Sequence, residues 1–210
     1  MGKGDLSNFS ETKIGGMGMN WLDLFGLITA VICVYLIVKE NDWNWSIGIV
    51  NSAALLLVFF NSKLFAQVGL QALYIIEGFF GWYKWLQRDR VTKEKVVKIN
   101  KITANKVILF TLLEVVGVII LTFVFMKTDD PAPFIDSVIT VSSIVAELML
   151  CWKLYESWII YLLTDFISIG LLLSQGMYIT MGTYAALTVL CVMGLDQWYK
   201  SLPKRGDISC

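Results

Sequence analysis

The chain contains no histidine. That absence removes the side chain that most often serves as a general base near neutral pH and as a zinc ligand, so histidine-based catalysis and zinc chemistry are excluded or nearly so. The four cysteines, Cys33, Cys151, Cys191 and Cys210, stand singly rather than at the paired spacings of a metal site or redox motif. The first three read as small apolar filler within helices, and no cofactor is expected. Charge is scarce as well: 16% of the 210 residues are charged, and the 17 basic and 17 acidic side chains cancel. No bulk field points to nucleic acid as a partner. What is abundant is apolar, 57% of the chain, against about half apolar and a quarter charged in soluble domains. An all-α integral membrane protein is expected.

Runs long and apolar enough to cross a bilayer fall near residues 21–38, 45–61, 64–86, 107–126, 135–152, 157–174 and 177–198. Seven transmembrane helices follow, with tight hairpins at 62–63 and 175–176. Residues 1–19 are polar and Gly-rich without the layout of a signal peptide, and read as a tail, loose or forming a short surface helix. Orientation comes from the basic residues. The loop at 87–106 holds Arg88, Arg90, Lys93, Lys95, Lys98, Lys101 and Lys106 against Asp89 and Glu94, and belongs in the cytoplasm. Seven spans then put 13 of the 17 basic residues inside and 4 outside, with the N-terminus out and the 200–210 tail in.

The chain also resembles itself. At an offset of 113 residues Asp23 meets Asp136, Trp45 meets Trp158, Phe65 meets Tyr178, Gly69 meets Gly182, Gly81 meets Gly194, and Trp85 meets Trp198. Six such matches across three spans indicate duplication: a first three-helix repeat over 20–86 and a second over 128–199. The span at 107–127 is a central linker helix that lets both triplets cross in the same direction. Parallel repeats of this kind occur in secondary transporters, where the substrate sits near mid-membrane between the repeats.

Polar residues inside spans are costly, about 2.5–3.5 kcal/mol for an acid at a helix centre, so their placement is informative. In span 5, Asp136, Thr140, Ser143 and Glu147 share one helical face, and in span 6 Trp158, Tyr161, Asp165 and Ser168 do the same. Span 3 aligns Gln67, Gln71, Tyr74 and Gly78 with Glu77 beside them, and span 2 adds Asn51. The expected substrate-binding set is Trp158, Tyr161, Asp165, Gln71, Tyr74, Glu77, Glu147, Asn51 and Ser143. Rings, amides and carboxylates around one cavity suit a flat, cationic, hydrogen-bonding ligand. Other features take structural readings. Trp45, Trp85, Trp198 and Tyr199 near span ends read as interfacial anchors, and Asp23 and Asp136 as capping or interfacial groups. Glu114 is expected to pair with a neighbour, and Gly26, Gly69, Gly81, Gly182 and Gly194 to permit close helix approach. A membrane enzyme would need its acids gathered at a water-facing end; a receptor or scaffold would fill its polar stripes with each other.

The runs "WSIGIVNSAALLLVFFNSKLFAQVGLQALYIIEGFFGWYKW" and "PFIDSVITVSSIVAELMLCWKLYESWIIYLLTDFISIGLLLSQGMY" resemble the PnuC family of bacterial vitamin transporters, related in architecture to the SWEET sugar transporters. The resemblance covers residues 21 to 199 and implies a three-one-three helix fold in the inner membrane and a homotrimer. It also implies facilitated diffusion of a vitamin, which a cytoplasmic kinase then traps by phosphorylation. Nicotinamide riboside members carry Trp-x-x-Trp-x-x-x-Asn; this chain reads Trp158-Ile-Ile-Tyr161-Leu-Leu-Thr-Asp165. Asp for Asn adds charge and removes an amide donor. That departure moves the expected cargo from nicotinamide riboside, which stays the alternative, to thiamine, with its thiazolium and aminopyrimidine. Riboflavin comes third.

Overall fold

A computed structural model describes residues 21–61, 65–128, 130–176 and 178–203. The 1–19 tail, Lys204 to Cys210 and the first hairpin turn lie outside the described residues, as does the Asp23 side chain. The described residues form seven helices: α1 Trp21–Val38, α2 Trp43–Asn61, α3 Phe65–Leu86, α4 Ala104–Phe125, α5 Pro133–Cys151, α6 Ser157–Ser174 and α7 Tyr178–Lys200. Of these, α2, α4, α5 and α6 are each long and apolar enough to cross a membrane on length and composition. The breaks between helices follow local chemistry. Pro133 opens α5, where its missing N–H removes no helical bond, and Gly176 takes a positive φ of 72° in the turn after α6.

Helices α1 and α2, α2 and α3, α3 and α5, α5 and α6, α6 and α7, and α7 and α1 pack in pairs. Those six pairs close a ring. The 113-residue offset carries α1, α2 and α3 onto α5, α6 and α7, and every packed pair in the ring onto another. The duplication is therefore present in the packing as well as in the letters. Helix α4 stands outside the ring against α5. Phe110 is its only buried residue, while Ile108, Leu112, Ile119, Ile120 and Phe123 are exposed, as suits a helix facing lipid acyl chains. Glu114, the acid within it, accepts a hydrogen bond from Ser142 of α5 at 2.6 Å.

The tryptophans read as interfacial anchors are instead core. Trp45, Trp85 and Trp198 are 2%, 1% and 0% exposed. The reason lies in the paired glycines. A Cβ built on Gly81 would stand 2.3 Å from Cη2 of Trp45, and one on Gly194 would stand 2.6 Å from Cη2 of Trp158, so each glycine is a notch that seats an indole edge. Trp45 meets Trp85 edge-on with centroids 5.5 Å apart, Trp158 meets Trp198 the same way at 5.4 Å, and Trp85 and Trp198 meet each other at 6.3 Å. Tyr199 stays exposed, in keeping with an anchor. Gly26, Gly69 and Gly182 do not mediate close approach, since a Cβ on each would meet nothing within 4 Å.

The basic loop is stitched to both repeats. Arg88 and Lys95 bind Asp42 at 3.3 and 2.8 Å. Asn100 exchanges backbone bonds with the turn after α5, donating to Lys153 O and accepting from Tyr155 N, and the Glu156 carboxylate accepts from Ile102 N at 3.0 and 3.1 Å.

Candidate functional site

The ring encloses a cavity of about 300 Å³, at the small end of the range for ligand pockets. Every ring helix contributes: Ala30, Cys33, Val34 and Ile37 from α1; Asn44, Trp45, Gly48, Ile49, Asn51 and Ser52 from α2; Tyr74 and Gly78 from α3; Ser143 and Glu147 from α5; Trp158, Tyr161 and Asp165 from α6; Tyr184, Leu187 and Cys191 from α7. A second hollow of about 470 Å³ lies outside the ring between α4, α5 and α6 and is largely apolar. Phe110 is the one aromatic side chain in its lining, and its two carboxylates, Glu114 and Glu156, already accept from Ser142 Oγ and Ile102 N.

Seven of the nine expected residues line the ring cavity: Trp158, Tyr161, Asp165, Tyr74, Glu147, Asn51 and Ser143. Gln71 and Glu77 are buried on α3 but do not line it. The α3 residues that face the cavity are Tyr74 and Gly78; Gln71 sits one turn earlier, and Glu77 falls on the neighbouring stripe. Asp136, in the first turn of α5, is also absent from the lining.

The polar groups are tied into the protein to different degrees. Tyr161 Oη donates to Glu147 Oε2 at 2.6 Å, so span 5 and span 6 meet through one strong, charge-assisted contact. Asp165, 6% exposed, accepts from Thr188 Oγ1 at 3.4 Å and from Cys191 Sγ at 3.7 Å. Both contacts are long and weak, leaving that carboxylate free to accept more. Asn51 Oδ1 accepts from Thr29 at 3.2 Å, and Ser143 donates to Ile139 O within its own helix, leaving its lone pairs for a ligand. Among the described residues Glu77 Oε2 is buried without a hydrogen-bond partner. It adjoins Glu147 across the helix interface, where Cys151 Sγ lies 3.8 Å from Glu77 O and 3.4 Å from Glu147 O.

The sequence reading missed Asn44, Trp45, Gly48, Ser52 and Tyr184 as lining residues. The signal for most of them was present, because the lining obeys the 113-residue offset: Ala30 with Ser143, Val34 with Glu147, Trp45 with Trp158, Gly48 with Tyr161, Ser52 with Asp165, Tyr74 with Leu187, and Gly78 with Cys191. Transferring each expected residue to its counterpart would have found Trp45, Gly48 and Ser52 directly, and Tyr184 as the counterpart of Gln71. In sum the cavity holds five aromatic side chains, three of them tyrosines, with two carboxylates, two amides and two serine hydroxyls, and no basic side chain among its lining residues. Such a surface stacks on a flat ring system and attracts positive charge.

Comparison with known proteins agrees with a transport architecture. The nicotinamide riboside transporter PnuC of Escherichia coli (strain K12) is 26% identical over 92% of this chain and 91% of its own. The riboflavin/roseoflavin transporter RibM of Streptomyces davaonensis is 24% identical over 85% of this chain and 84% of its own. The crystal structure of the vitamin B3 transporter PnuC superposes with a TM-score of 0.67 at 22% identity, covering 86% of this chain and 81% of that one, which speaks to the fold. Residues 20–200 match the family described as nicotinamide mononucleotide transporter, and the chain belongs to that family of multi-pass membrane transporters.

Proposed function

We propose that this protein carries a small cationic heteroaromatic vitamin across the bacterial inner membrane, with thiamine as the favoured cargo. The observation that carries this reading is the joint placement of Glu147 and Asp165 with Trp45, Trp158, Tyr74, Tyr161 and Tyr184 on one cavity that has no basic side chain in its lining. A ring cation over an aromatic face is stabilised by about 0.5–2 kcal/mol. The weakly held Asp165 carboxylate suits the exocyclic amine of an aminopyrimidine, a donor that seeks an acceptor. A second reading, nicotinamide riboside, is favoured by the names of the relatives; its pyridinium is also cationic, while its carboxamide and ribose would use Asn44, Asn51 and Ser52. Neutral riboflavin gains less from the acids.

The cycle is uncoupled alternating access of the two repeats about the cavity, with phosphorylation of the vitamin in the cytoplasm keeping it inside. The basic loop faces the cytoplasm, the N-terminus lies outside, and three copies assemble. Titration of the purified protein with thiamine, nicotinamide riboside and riboflavin tests the cargo: thiamine is expected to bind tightest, and a preference for riboflavin would remove the charge argument. Counterflow in liposomes with and without a proton gradient tests the cycle, and a strict need for the gradient would sink the uncoupled mechanism.

A further inference from the structure

Glu40 and Lys153 are counterparts at the 113-residue offset, and each ends the first helix of its repeat in the same way. Glu40 N donates to Ile37 O and Asn41 N to Leu36 O; Lys153 N donates to Leu150 O and Leu154 N to Met149 O. These are two copies of the helix-ending motif whose final residue takes a left-handed backbone, and both residues do so, with φ of 52° and 51°. Glycine is the default there, because a Cβ crowds the following carbonyl oxygen in that conformation. The chain places a carboxylate in one copy and an ammonium in the other.

The two groups meet. Lys153 Nζ lies 2.6 Å from Glu40 Oε2 and 4.4 Å from the Trp85 ring centroid, with the lysine side chain fully buried. A buried ammonium requires such partners. Burial pulls the Lys153 amine below its ordinary value, and the Glu40 carboxylate opposes that shift. Helices α1 and α5 do not pack on one another within the ring, so this pair ties the repeats together where their first helices otherwise stay apart. Like the Trp85–Trp198 contact, the pair joins two positions that are equivalent at the offset, and through Lys153 it packs on Trp85, whose neighbour Trp45 and, across Trp198, Trp158 line the cavity.

We propose that the Glu40–Lys153 pair is the latch of the gate at the basic-loop end: it holds the repeats closed behind the four tryptophans and must part for cargo to leave on that side. The proposal rests on the transport reading. Identical charges at the two equivalent positions would repel; opposite ones attract only between repeats, which is what a latch requires.

The test needs no vitamin. Leu86 and Tyr199 are equivalent, exposed residues at the ends of α3 and α7. Spin labels on cysteines placed there, in the full chain with its native cysteines replaced, report the separation of the repeats at that end. Glu40→Gln and Lys153→Gln should each raise the long-distance population about tenfold, the shift that about 1.4 kcal/mol gives. The exchanged pair, Glu40→Lys with Lys153→Glu, should restore the short distance, since both sites already accept a charged residue at positive φ. Unchanged distances in both single variants, or an exchanged pair that stays open, would overturn the latch. A protein whose single variants open as expected but which binds neither thiamine nor nicotinamide riboside keeps the latch and refutes the cargo reading.

Discussion

Three cavity-facing positions of α1 and α2 in the first repeat, Val34, Gly48 and Ser52, have Glu147, Tyr161 and Asp165 as their equivalents in the second. The packing positions behave oppositely, since Gly81 and Gly194 seat Trp45 and Trp158 in the same way. The tryptophan–glycine seats that hold the ring together still match, Trp45 and Trp158 included where they line the cavity, whereas the other paired cavity positions have diverged. One repeat supplies room and amides, the other supplies charge.

The largest effects should come from the matching parts. Gly81→Ala and Gly194→Ala drive a methyl group into a rigid indole edge that is itself packed on a second tryptophan. Overpacking of this kind costs about 1–3 kcal/mol, and thermal unfolding in detergent should show a lowered midpoint for both. Gly81→Ala should fall further because its clash is closer. Gly69→Ala and Gly182→Ala, with open space around them, should leave the midpoint unchanged or raise it, since alanine favours a helix over glycine by about 1 kcal/mol. Equal losses at all four glycines would mean that the notches have no special role.

Next comes the divergence. Asp165→Asn should weaken thiamine binding by about tenfold, equivalent to about 1.4 kcal/mol, and nicotinamide riboside binding by less. Ser52→Ala at the matching position should change either by about twofold at most. Calorimetric titration separates these outcomes, and identical losses for the two vitamins at Asp165 would remove the reason to prefer thiamine.

This contrast explains what was legible in the sequence. The ring was readable because glycine and tryptophan are distinctive letters, and their recurrence at one offset reports a packing constraint that both repeats share. Glu147, Tyr161 and Asp165 were readable because polar groups in a span are costly and shared a helical face. Gly48, Ser52 and Asn44 were not singled out, because small and polar residues in an apolar helix have many ordinary uses and only the offset marks them. The tryptophans at span ends were misread for a related reason. Position along the span suggests an interface, whereas burial depends on whether a glycine opposite leaves room, a fact about two distant segments at once.

A finer asymmetry lies within the matched tryptophans. Trp85 Nε1 donates to Leu150 O at 3.2 Å, while the Trp198 Nε1 is buried without a partner among the described residues. Replacing each by phenylalanine removes a similar volume but, in Trp85 alone, a hydrogen bond worth about 1 kcal/mol. Trp85→Phe should therefore destabilise by about that much more than Trp198→Phe in denaturant unfolding. The reverse order would indicate that the second indole finds an acceptor in the assembled protein.

The smallest effect belongs to the segment with no counterpart in either repeat. In the basic loop Asp89 Oδ1 accepts from Thr92 N and Val91 N, each at 2.8 Å, and these amides hold its carboxyl below the ordinary 3.8. A depressed carboxyl contributes order that is complete above its unfolded value and is lost as pH falls through the lower, folded one. The Val91 and Thr92 amide resonances should thus shift together on acidification with a midpoint below 3.8, while the tryptophan indole resonances of the ring stay unchanged over the same range. Asp89 is fully exposed and its turn touches neither repeat's core, so the midpoint of thermal unfolding should barely respond to Asp89→Asn. An indole spectrum that shifted with the loop amides would tie the linker to the ring far more closely than the packing of the two repeats requires.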